Sequence, residues 1–180
     1  YTLNTAYGSN LVVEGAGFLL NNEMDDFSIK PGHPNVYGLV GGEANKIEPG
    51  KRMLSSMSPT IVFEIRQGRE FPYLVLGSPG GSKIITTVAQ AILDVTRFGM
   101  APEKVVAEPR FHHQWLPDLL YLEQGGYDIN VKQELIRLGH NVREREPYGD
   151  LQMILLQPEV GLMTGGGDPR GNGAAVGVGY

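Results

Sequence analysis

Residues 60–98 read TIVFEIRQGREFPYLVLGSPGGSKIITTVAQAILDVTRF, and this stretch decides the fold class. Its two apolar runs, 60–65 and 71–76, are rich in β-branched and aromatic residues, and the intervening ArgGlnGlyArgGlu predicts that they form a β-hairpin. Apolar residues then recur at helical spacing over 84–98, and Gly99 is a typical helix stop. The stretch therefore predicts two strands followed by a helix that packs one face on a sheet.

The flanking segments predict further elements of both kinds. Residues 1–24 hold three apolar patches separated by glycines, which is typical of short strands joined by tight turns. Residues 25–58 lack periodicity and contain several prolines, so a long ordered loop is predicted there. Downstream we expect a short helix near Pro102, a helix over 131–138 and a buried strand over 151–157.

The organisation of the whole chain is simple. The glycine-rich tail that ends at Tyr180 is expected to be irregular and laid on the domain surface, with disorder as the alternative. A chain of 180 residues without an internal repeat or linker is long enough for one domain with a core. We therefore predict a single domain over residues 1–180, of the α+β class with a largely antiparallel sheet.

Composition excludes several classes of function. The chain has 15 Lys and Arg against 20 Asp and Glu, a formal net charge of -5, so no nucleic-acid partner is expected. It contains no cysteine, which excludes disulfides and thiolate metal sites. No apolar run approaches the length that a membrane span requires, so none is expected in this chain.

The glycine loop 77–83, GlySerProGlyGlySerLys, is typical of a backbone that holds an anion at a helix start. Its spacing fits neither the Walker phosphate loop nor the dinucleotide pattern GxGxxG. Glycines before a helix can still present backbone N–H groups to a negative oxygen, which is how an oxyanion hole works. The alternative interpretation is a tight strand-to-helix turn that needs glycine for its backbone angles.

Five further motifs lie before and after this loop in the sequence. They are TyrThrLeuAsn (1–4), AsnAsnGluMetAspAspPheSer (21–28), LeuSerSerMetSerPro (54–59), ProArgPheHisHisGlnTrpLeuProAsp (109–118) and AspProArg (168–170). In order and approximate spacing the set resembles the small subunit of γ-glutamyltranspeptidases over nearly the whole chain.

The resemblance implies the four-layer αββα sandwich of an N-terminal-nucleophile hydrolase, formed with a large subunit from the same precursor. In that family an N-terminal threonine attacks γ-glutamyl amides such as glutathione and passes the acyl group to water, an amino acid or a peptide. Here position 1 is Tyr, and Thr2 carries its nitrogen in a peptide bond. The chain is therefore expected to be a fragment or processed product without the nucleophile segment.

The resemblance also implies residue roles. The donor's α-ammonium would be bound by Asn4, Glu23 and Asp26, two carboxylates and an amide oxygen that suit an ammonium. Glu23 stands where some members have Gln. The adjacent Asp25 is assigned to turn structure.

Four other roles complete the predicted site. Ser55 and Ser56 would bind the donor's α-carboxylate, together with an arginine of the large subunit. Gly80 and Gly81 would form the oxyanion hole, and Thr2 would hydrogen-bond the nucleophile. No cofactor and no metal ion are expected, and the resemblance implies a periplasmic or secreted location.

Each of these residues also has a purely structural interpretation. Asp26 suits a loop or helix cap, the serine pair suits a polar turn, and Thr2 suits a strand. His112 and His113 are adjacent, so in a strand they point to opposite faces and do not indicate a metal site. Trp115 and Phe111 are expected in the core or at a subunit interface.

Three functions are consistent with the sequence. The first is the γ-glutamyl transferase or hydrolase small subunit. The second is a relative with another donor, such as poly-γ-glutamate or a β-lactam side chain, although a glutaryl side chain has no α-amino group for the predicted acceptors. The third is a non-catalytic γ-glutamyl-binding homologue that lacks the nucleophile.

Overall fold

The computed structural model describes residues 2–177. Tyr1 of the TyrThrLeuAsn motif and Tyr180 at the end of the glycine-rich tail therefore lie outside the described part. The described residues form two compact units, one ending at Ser56 and the other beginning at Met57. The single domain over 1–180 stays a prediction.

The first unit is built from turns. Its described residues contain two 3₁₀ helices, Glu23–Asp26 and Glu43–Asn45, and isolated bridges such as Val12 with Leu19, but no strand. The predicted strands in 1–24 are therefore wrong. Their apolar side chains, such as that of Val12, are largely exposed, so among the described residues they are not packed into a sheet. The prediction of a long ordered loop over 25–58 is confirmed in its main feature, since this segment is irregular apart from the two 3₁₀ helices.

The second unit contains the predicted hairpin. Strands β1 (Thr60–Arg66) and β2 (Arg69–Gly77) pair antiparallel, with Thr60 opposite Leu76. Strands β6 (Gln152–Gln157) and β7 (Leu162–Gly167) continue the sheet in the order β1-β2-β6-β7, all antiparallel.

A smaller sheet and three helices complete this unit. Strands β3 (Phe111–His112), β4 (Leu120–Glu123) and β5 (Val142–Arg145) form the second sheet, in which β4 and β5 are parallel. The helices are α1 (Ile84–Thr96), α2 (Pro102–Val105) and α3 (Ile129–Arg137). Helix α3 lies between β4 and β5 in the chain, as a parallel connection requires. None of the described helices has the length and apolarity that a membrane crossing requires.

One face of the four-stranded sheet carries the core. Helix α1 buries a stripe of side chains spaced three or four apart, as an amphipathic helix on a sheet does. The core consists of Leu74, Leu76, Ile84, Val88, Ala91, Val95, Val105, Val106, Leu151 and Met153. The predicted helix and its packing on the hairpin are thereby confirmed.

Strand β7 contradicts the expectation of a wholly irregular tail. Its last residues are Gly165, Gly166 and Gly167, which period and propensity alone do not assign to a strand. A Cβ on Gly166 would lie 2.6 Å from the carbonyl oxygen of Pro102. Gly166 is therefore required by the close approach of α2, whereas a Cβ on Gly165 or Gly167 would meet Ala175 or Ala174, so the constraint is tertiary.

Candidate active site

The first group of polar residues is set by the 3₁₀ helix Glu23–Asp26. A 3₁₀ helix has three residues per turn, so side chains three apart lie on the same side. Glu23 and Asp26 meet this condition, and both are partly buried, whereas Asp25 is exposed. The local geometry therefore separates Asp25 from the two carboxylates of the predicted site.

Asn4 joins these two carboxylates. Its side-chain Nδ2 donates to Glu23 Oε2 at 3.0 Å and to both carboxylate oxygens of Asp26 at 3.2 Å. The backbone N–H of Asn4 donates to Asn22 Oδ1 at 3.1 Å, which fixes the segment next to the helix. The amide is thus a donor to the carboxylates here, whereas its oxygen was expected to act as an acceptor for a ligand.

Ser56 contributes a fourth member. Its hydroxyl donates to Asp26 Oδ1 at 2.5 Å, and it is partly buried, while Ser55 is exposed. The structure therefore brings Asn4, Glu23, Asp26 and Ser56 together, residues that lie up to 52 positions apart in the sequence. Their predicted roles toward a ligand stay predictions.

Asn45 is a structural residue that sequence reasoning missed. Its side-chain Nδ2 donates to the backbone oxygen of Asp26 at 2.7 Å, and its Oδ1 accepts from the backbone N–H of Leu54 at 3.1 Å. One side chain thus connects the carboxylate turn to the serine segment. An asparagine in a loop gives no sequence signal of this role, because amide side chains bond to backbone in many turns.

The cluster is short of positive charge. Burial raises the pKa of Glu23, and the neighbouring Asp26 raises it further through a hydrogen bond and its negative charge, while Asn4 acts in the opposite direction. Within residues 2–177, Glu23 Oε1 is buried and has no hydrogen-bond partner. The arrangement suits a cationic ligand with several N–H donors, since such a ligand supplies both the charge and the missing hydrogen bond.

The second unit carries the glycine loop. Gly80 has φ +146° and Gly81 has φ +59°, and a short 3₁₀ helix, Gly81–Lys83, leads into α1. The Lys83 N–H donates to Gly80 O at 3.2 Å. Among the described residues, no acceptor is hydrogen-bonded to the backbone N–H of Gly80 or Gly81. The loop can therefore present N–H donors to an anion, and its role as oxyanion hole stays a prediction.

The segment before β6, Gly149 and Asp150, contacts and stabilises this loop. The backbone N–H of Asp150 donates to Ser78 Oγ at 3.2 Å, and Ser78 Oγ donates to Pro79 O at 2.7 Å. Gly149 has φ +83°, and a Cβ on it would lie 3.1 Å from Ser78 Oγ. These contacts were not predicted, because they join residues about 70 positions apart that carry no shared motif.

Two sequence motifs form a buried ion network in the same unit. Arg110 donates to Asp168 Oδ2 at 2.5 Å, and Arg170 donates to Glu123 Oε2 at 2.5 Å and to Asp168 Oδ1 at 3.1 Å. Arg110 also donates to the backbone oxygen of Tyr148 at 2.7 Å. The network thus fixes the segment that braces the glycine loop.

The histidines are engaged in structure. His112 is buried between Thr86 Oγ1 and Gln114 Oε1, each 2.8 Å from a ring nitrogen, and burial lowers its pKa. His113 Nε2 lies 3.1 Å from Asp118 Oδ1. Among residues 2–177 there is no group of three or more His, Asp or Glu side chains placed to hold a metal ion.

Two aromatic residues lie at the surface. Trp115 is 76% exposed and Phe111 is 44% exposed, so the expectation that they belong to the core is wrong. A subunit interface stays a prediction for both. Thr2 is partly buried at the start of the first unit, and its catalytic role is likewise a prediction.

Comparison with known proteins identifies the family. Residues 1–178 match the family model described as Gamma-glutamyltranspeptidase. The chain is 50% identical over 170 residues to the glutathione hydrolase proenzyme of Escherichia coli, and 46% identical over 184 residues to that of Pseudomonas aeruginosa. These alignments cover 94% and 98% of this chain but 28% and 31% of the relatives, so the chain spans about a third or less of their length.

The fold agrees with this similarity. The T380A mutant of Helicobacter pylori γ-glutamyltranspeptidase has a TM-score of 0.86 and 51% identity, covering 95% of this chain and 91% of that one. The predicted class, α+β of the N-terminal-nucleophile hydrolase type with largely antiparallel strands, is confirmed. The chain belongs to the γ-glutamyltranspeptidase family.

Proposed function

We propose that this chain is the small-subunit part of an enzyme that cleaves γ-glutamyl amides such as glutathione and transfers the γ-glutamyl group to water, an amino acid or a peptide. The observation that carries the proposal is the cluster of Asn4, Glu23, Asp26 and Ser56, in which two carboxylates converge and no cation of residues 2–177 pairs with them. Two relatives that match this chain over 94% and 98% of its length are named glutathione hydrolase proenzyme.

The cluster would recognise the amino end of the donor. An α-ammonium has three N–H donors and a full charge, and the acceptors open to it are the carboxylates of Glu23 and Asp26. The hydroxyl of Ser55 would bind the adjacent α-carboxylate, and that of Ser56, which donates to Asp26 in this structure, would turn toward the ligand to join it. Because hydroxyls are neutral, an arginine of the large subunit would supply the opposite charge.

The glycine loop would act on the reacting carbonyl. The nucleophile is the N-terminal threonine of the mature subunit, whose own α-amino group serves as the base for its hydroxyl. Its attack produces a tetrahedral oxyanion, which the backbone N–H groups of Gly80 and Gly81 would stabilise. Collapse of this intermediate gives a γ-glutamyl ester on the threonine and releases the amine, and Thr2 would hydrogen-bond the attacking hydroxyl.

The four-stranded sheet provides a surface for the partner. The face opposite α1 exposes Ile61, Phe63 and Ile65 of β1, and the neighbouring Ile154 of β6 is also exposed. An apolar sheet face is stable when a second layer covers it. We assign that layer to the large subunit from the same precursor, in a periplasmic or secreted protein.

Alternative donors are less well supported. A glutaryl side chain has no α-amino group, so it would leave the carboxylates of Glu23 and Asp26 without their cation. A non-catalytic γ-glutamyl-binding homologue would retain the cluster but would not turn over a donor. An activity measurement distinguishes the non-catalytic homologue from the proposed enzyme.

The test is release of p-nitroaniline from γ-glutamyl-p-nitroanilide by the mature enzyme made from a full-length precursor. Asp26→Asn is expected to lower kcat/KM by about 10- to 150-fold, because a hydrogen bond to a charged group contributes about 1.5–3 kcal/mol. The matched control is Asp25→Asn, one residue away and exposed, which is expected to leave kcat/KM unchanged. Equal effects of the two substitutions, or no turnover by the wild type, would contradict the proposal.

A further inference from the structure

Glu23 and Asp26 share too few donors for two negative charges. Both accept from the single Nδ2 of Asn4, and the other side-chain donor to the pair is the hydroxyl of Ser56, bonded to Asp26. Both donors are neutral. In the described part of the chain, the second oxygen of Glu23, Oε1, is buried without a partner. A carboxylate oxygen in that position is strongly disfavoured when charged.

The charged groups around Glu23 do not correct this deficit. On its own 3₁₀ helix it faces Asp26, while Asp25 is exposed. The N-terminal segment and the serine segment present the neutral Asn4 and Ser56. Two lysines of the same unit are engaged elsewhere: Lys46 is paired with Glu43 and Glu48, and Lys51 is paired with Glu48. Within residues 2–177, no cation is ion-paired with Glu23 or Asp26.

We propose that Glu23 is protonated while the site is empty and releases its proton when the α-ammonium of a γ-glutamyl donor binds. The inference rests on the proposed function of this site. The proton balance is simple: the Glu23 carboxylic acid gives one proton to solvent, and the ammonium keeps its three protons and donates hydrogen bonds to the resulting carboxylate. The raised pKa of Glu23, caused first by burial and then by Asp26, supports the geometric argument.

Because binding releases a proton, the affinity for the donor increases as pH rises. Below the pKa of Glu23 in the empty site, binding must remove a proton, so the affinity rises with pH by up to about tenfold per unit. Above that pKa the carboxylate is already charged, so the affinity for the donor no longer changes with pH. A glutamine at position 23 cannot lose a proton, so Glu23→Gln removes the slope while an amide oxygen still accepts from the ammonium.

The coupling also contributes to selectivity. A ligand that has the α-carboxylate but no α-ammonium offers no charge to a newly ionised Glu23. Such a ligand is expected to bind without releasing a proton, and to bind less well as pH rises. Glu23 is thus a specificity-determining residue whose charge is matched to that of the bound ligand.

The test uses the mature enzyme and L-glutamate, which carries the same α-ammonium and α-carboxylate as the donor and contains no scissile amide. Isothermal titration in buffers of different ionisation enthalpy, between about pH 5 and 7, counts the protons released on binding. The wild type and the control Asp25→Asn are expected to release the same fraction of a proton, falling toward zero as pH rises. Glu23→Gln is expected to bind L-glutamate without release.

The outcomes separate the inference from the proposed function. Binding of L-glutamate by the wild type without proton release, or with the same release in Glu23→Gln, overturns the inference and leaves the function standing. If Glu23→Gln does not bind, the pH dependence of the wild-type proton release decides, and a release that does not fall as pH rises overturns the inference. No binding and no turnover by the wild type at any pH overturns the proposed function and the inference with it.

Discussion

At the scale of single residues, the backbone of Gly80 is the most constrained feature of the candidate oxyanion hole. Its φ of +146° lies in a region that residues with a Cβ rarely adopt. A side chain there would rotate the peptide planes that carry the two N–H groups. The residue is therefore glycine for its backbone angles, and the direction of its N–H depends on them.

Gly80→Ala is expected to lower kcat by about 10²- to 10³-fold, the usual cost of losing one oxyanion donor. KM for the donor should change little, because the cluster around Asp26 is untouched. The measurement is steady-state hydrolysis of γ-glutamyl-p-nitroanilide by the mature enzyme. The control is Gly68→Ala in the hairpin turn, where φ is +74°. That change should cost about 1–2 kcal/mol of stability and leave kcat unchanged, so a similar loss of kcat in both variants would exclude a specific role for Gly80.

At the scale of elements, the buried ion network connects strands of both sheets to the segment that braces the glycine loop. Burial by itself raises the pKa of Asp168. Hydrogen bonds from the backbone N–H groups of Leu151 and Arg170, and then the guanidinium of Arg110, lower that pKa below its ordinary value. The ionised carboxylate is therefore the form that the fold stabilises.

Asp168→Asn is expected to lower the free energy of unfolding by about 3–5 kcal/mol, because it leaves the buried Arg110 without its counter-charge. The sign of the pH effect follows from the depressed pKa: the contribution is present above about pH 4 and is lost as pH falls further. Denaturant unfolding of the mature protein at several pH values measures both the loss of unfolding free energy and its dependence on pH. Asp118→Asn, whose carboxylate is 85% exposed, is the control and should have little effect. Equal stabilities of the two variants would rule out this role of Asp168.

The elements also show what a sequence can predict. The hairpin and α1 were predictable because their periodicity coincides with their burial, as at Val88 and Leu74. The apolar patch around Val12 follows the same local rules, but it is exposed, and among the described residues it forms an isolated bridge with Leu19 rather than a sheet. Strand β7 was missed for the converse reason, since the glycine at position 166 is imposed by α2 rather than by strand propensity.

The candidate site divides in the same way. Asp26 and Gly80 belong to motifs that a resemblance can identify, and the i, i+3 spacing of Glu23 and Asp26 is local. Asn45 and Gly149 act through contacts with distant backbone or side-chain atoms, which no local pattern encodes. Motifs therefore predict the candidate site residues, whereas the supporting contacts become visible only in the fold.

At the scale of the whole molecule, the four-stranded sheet has an exposed apolar face, which is the surface proposed to bind the large subunit. Phe63 and Ile65 on this face are 51% and 72% exposed. Because the chain spans 28% of the Escherichia coli relative, a precursor of similar length contains enough additional chain to form that layer. In the proposed assembly, the large subunit would cover this face and turn it into a core.

Phe63→Lys is expected to reduce assembly with the large subunit, because it places a charge at the centre of an apolar contact. The measurement is the fraction of this chain that co-elutes with the large subunit in size-exclusion chromatography. Leu93→Lys is the control, since Leu93 is 54% exposed on α1 and so lies on the helical side of the sheet. Normal assembly of Phe63→Lys would contradict the assignment of this face.

The central claim is that the carboxylates of Glu23 and Asp26 recognise an α-ammonium. The most direct measurement is the ratio of kcat/KM for γ-glutamyl-p-nitroanilide to that for glutaryl-p-nitroanilide, which lacks only the amino group. The mature wild-type enzyme is expected to show a ratio of at least about 100, since two charge-assisted hydrogen bonds contribute about 1.5–3 kcal/mol each. This ratio should fall sharply in Asp26→Asn and remain unchanged in Asp25→Asn. A wild-type ratio near one would contradict the account.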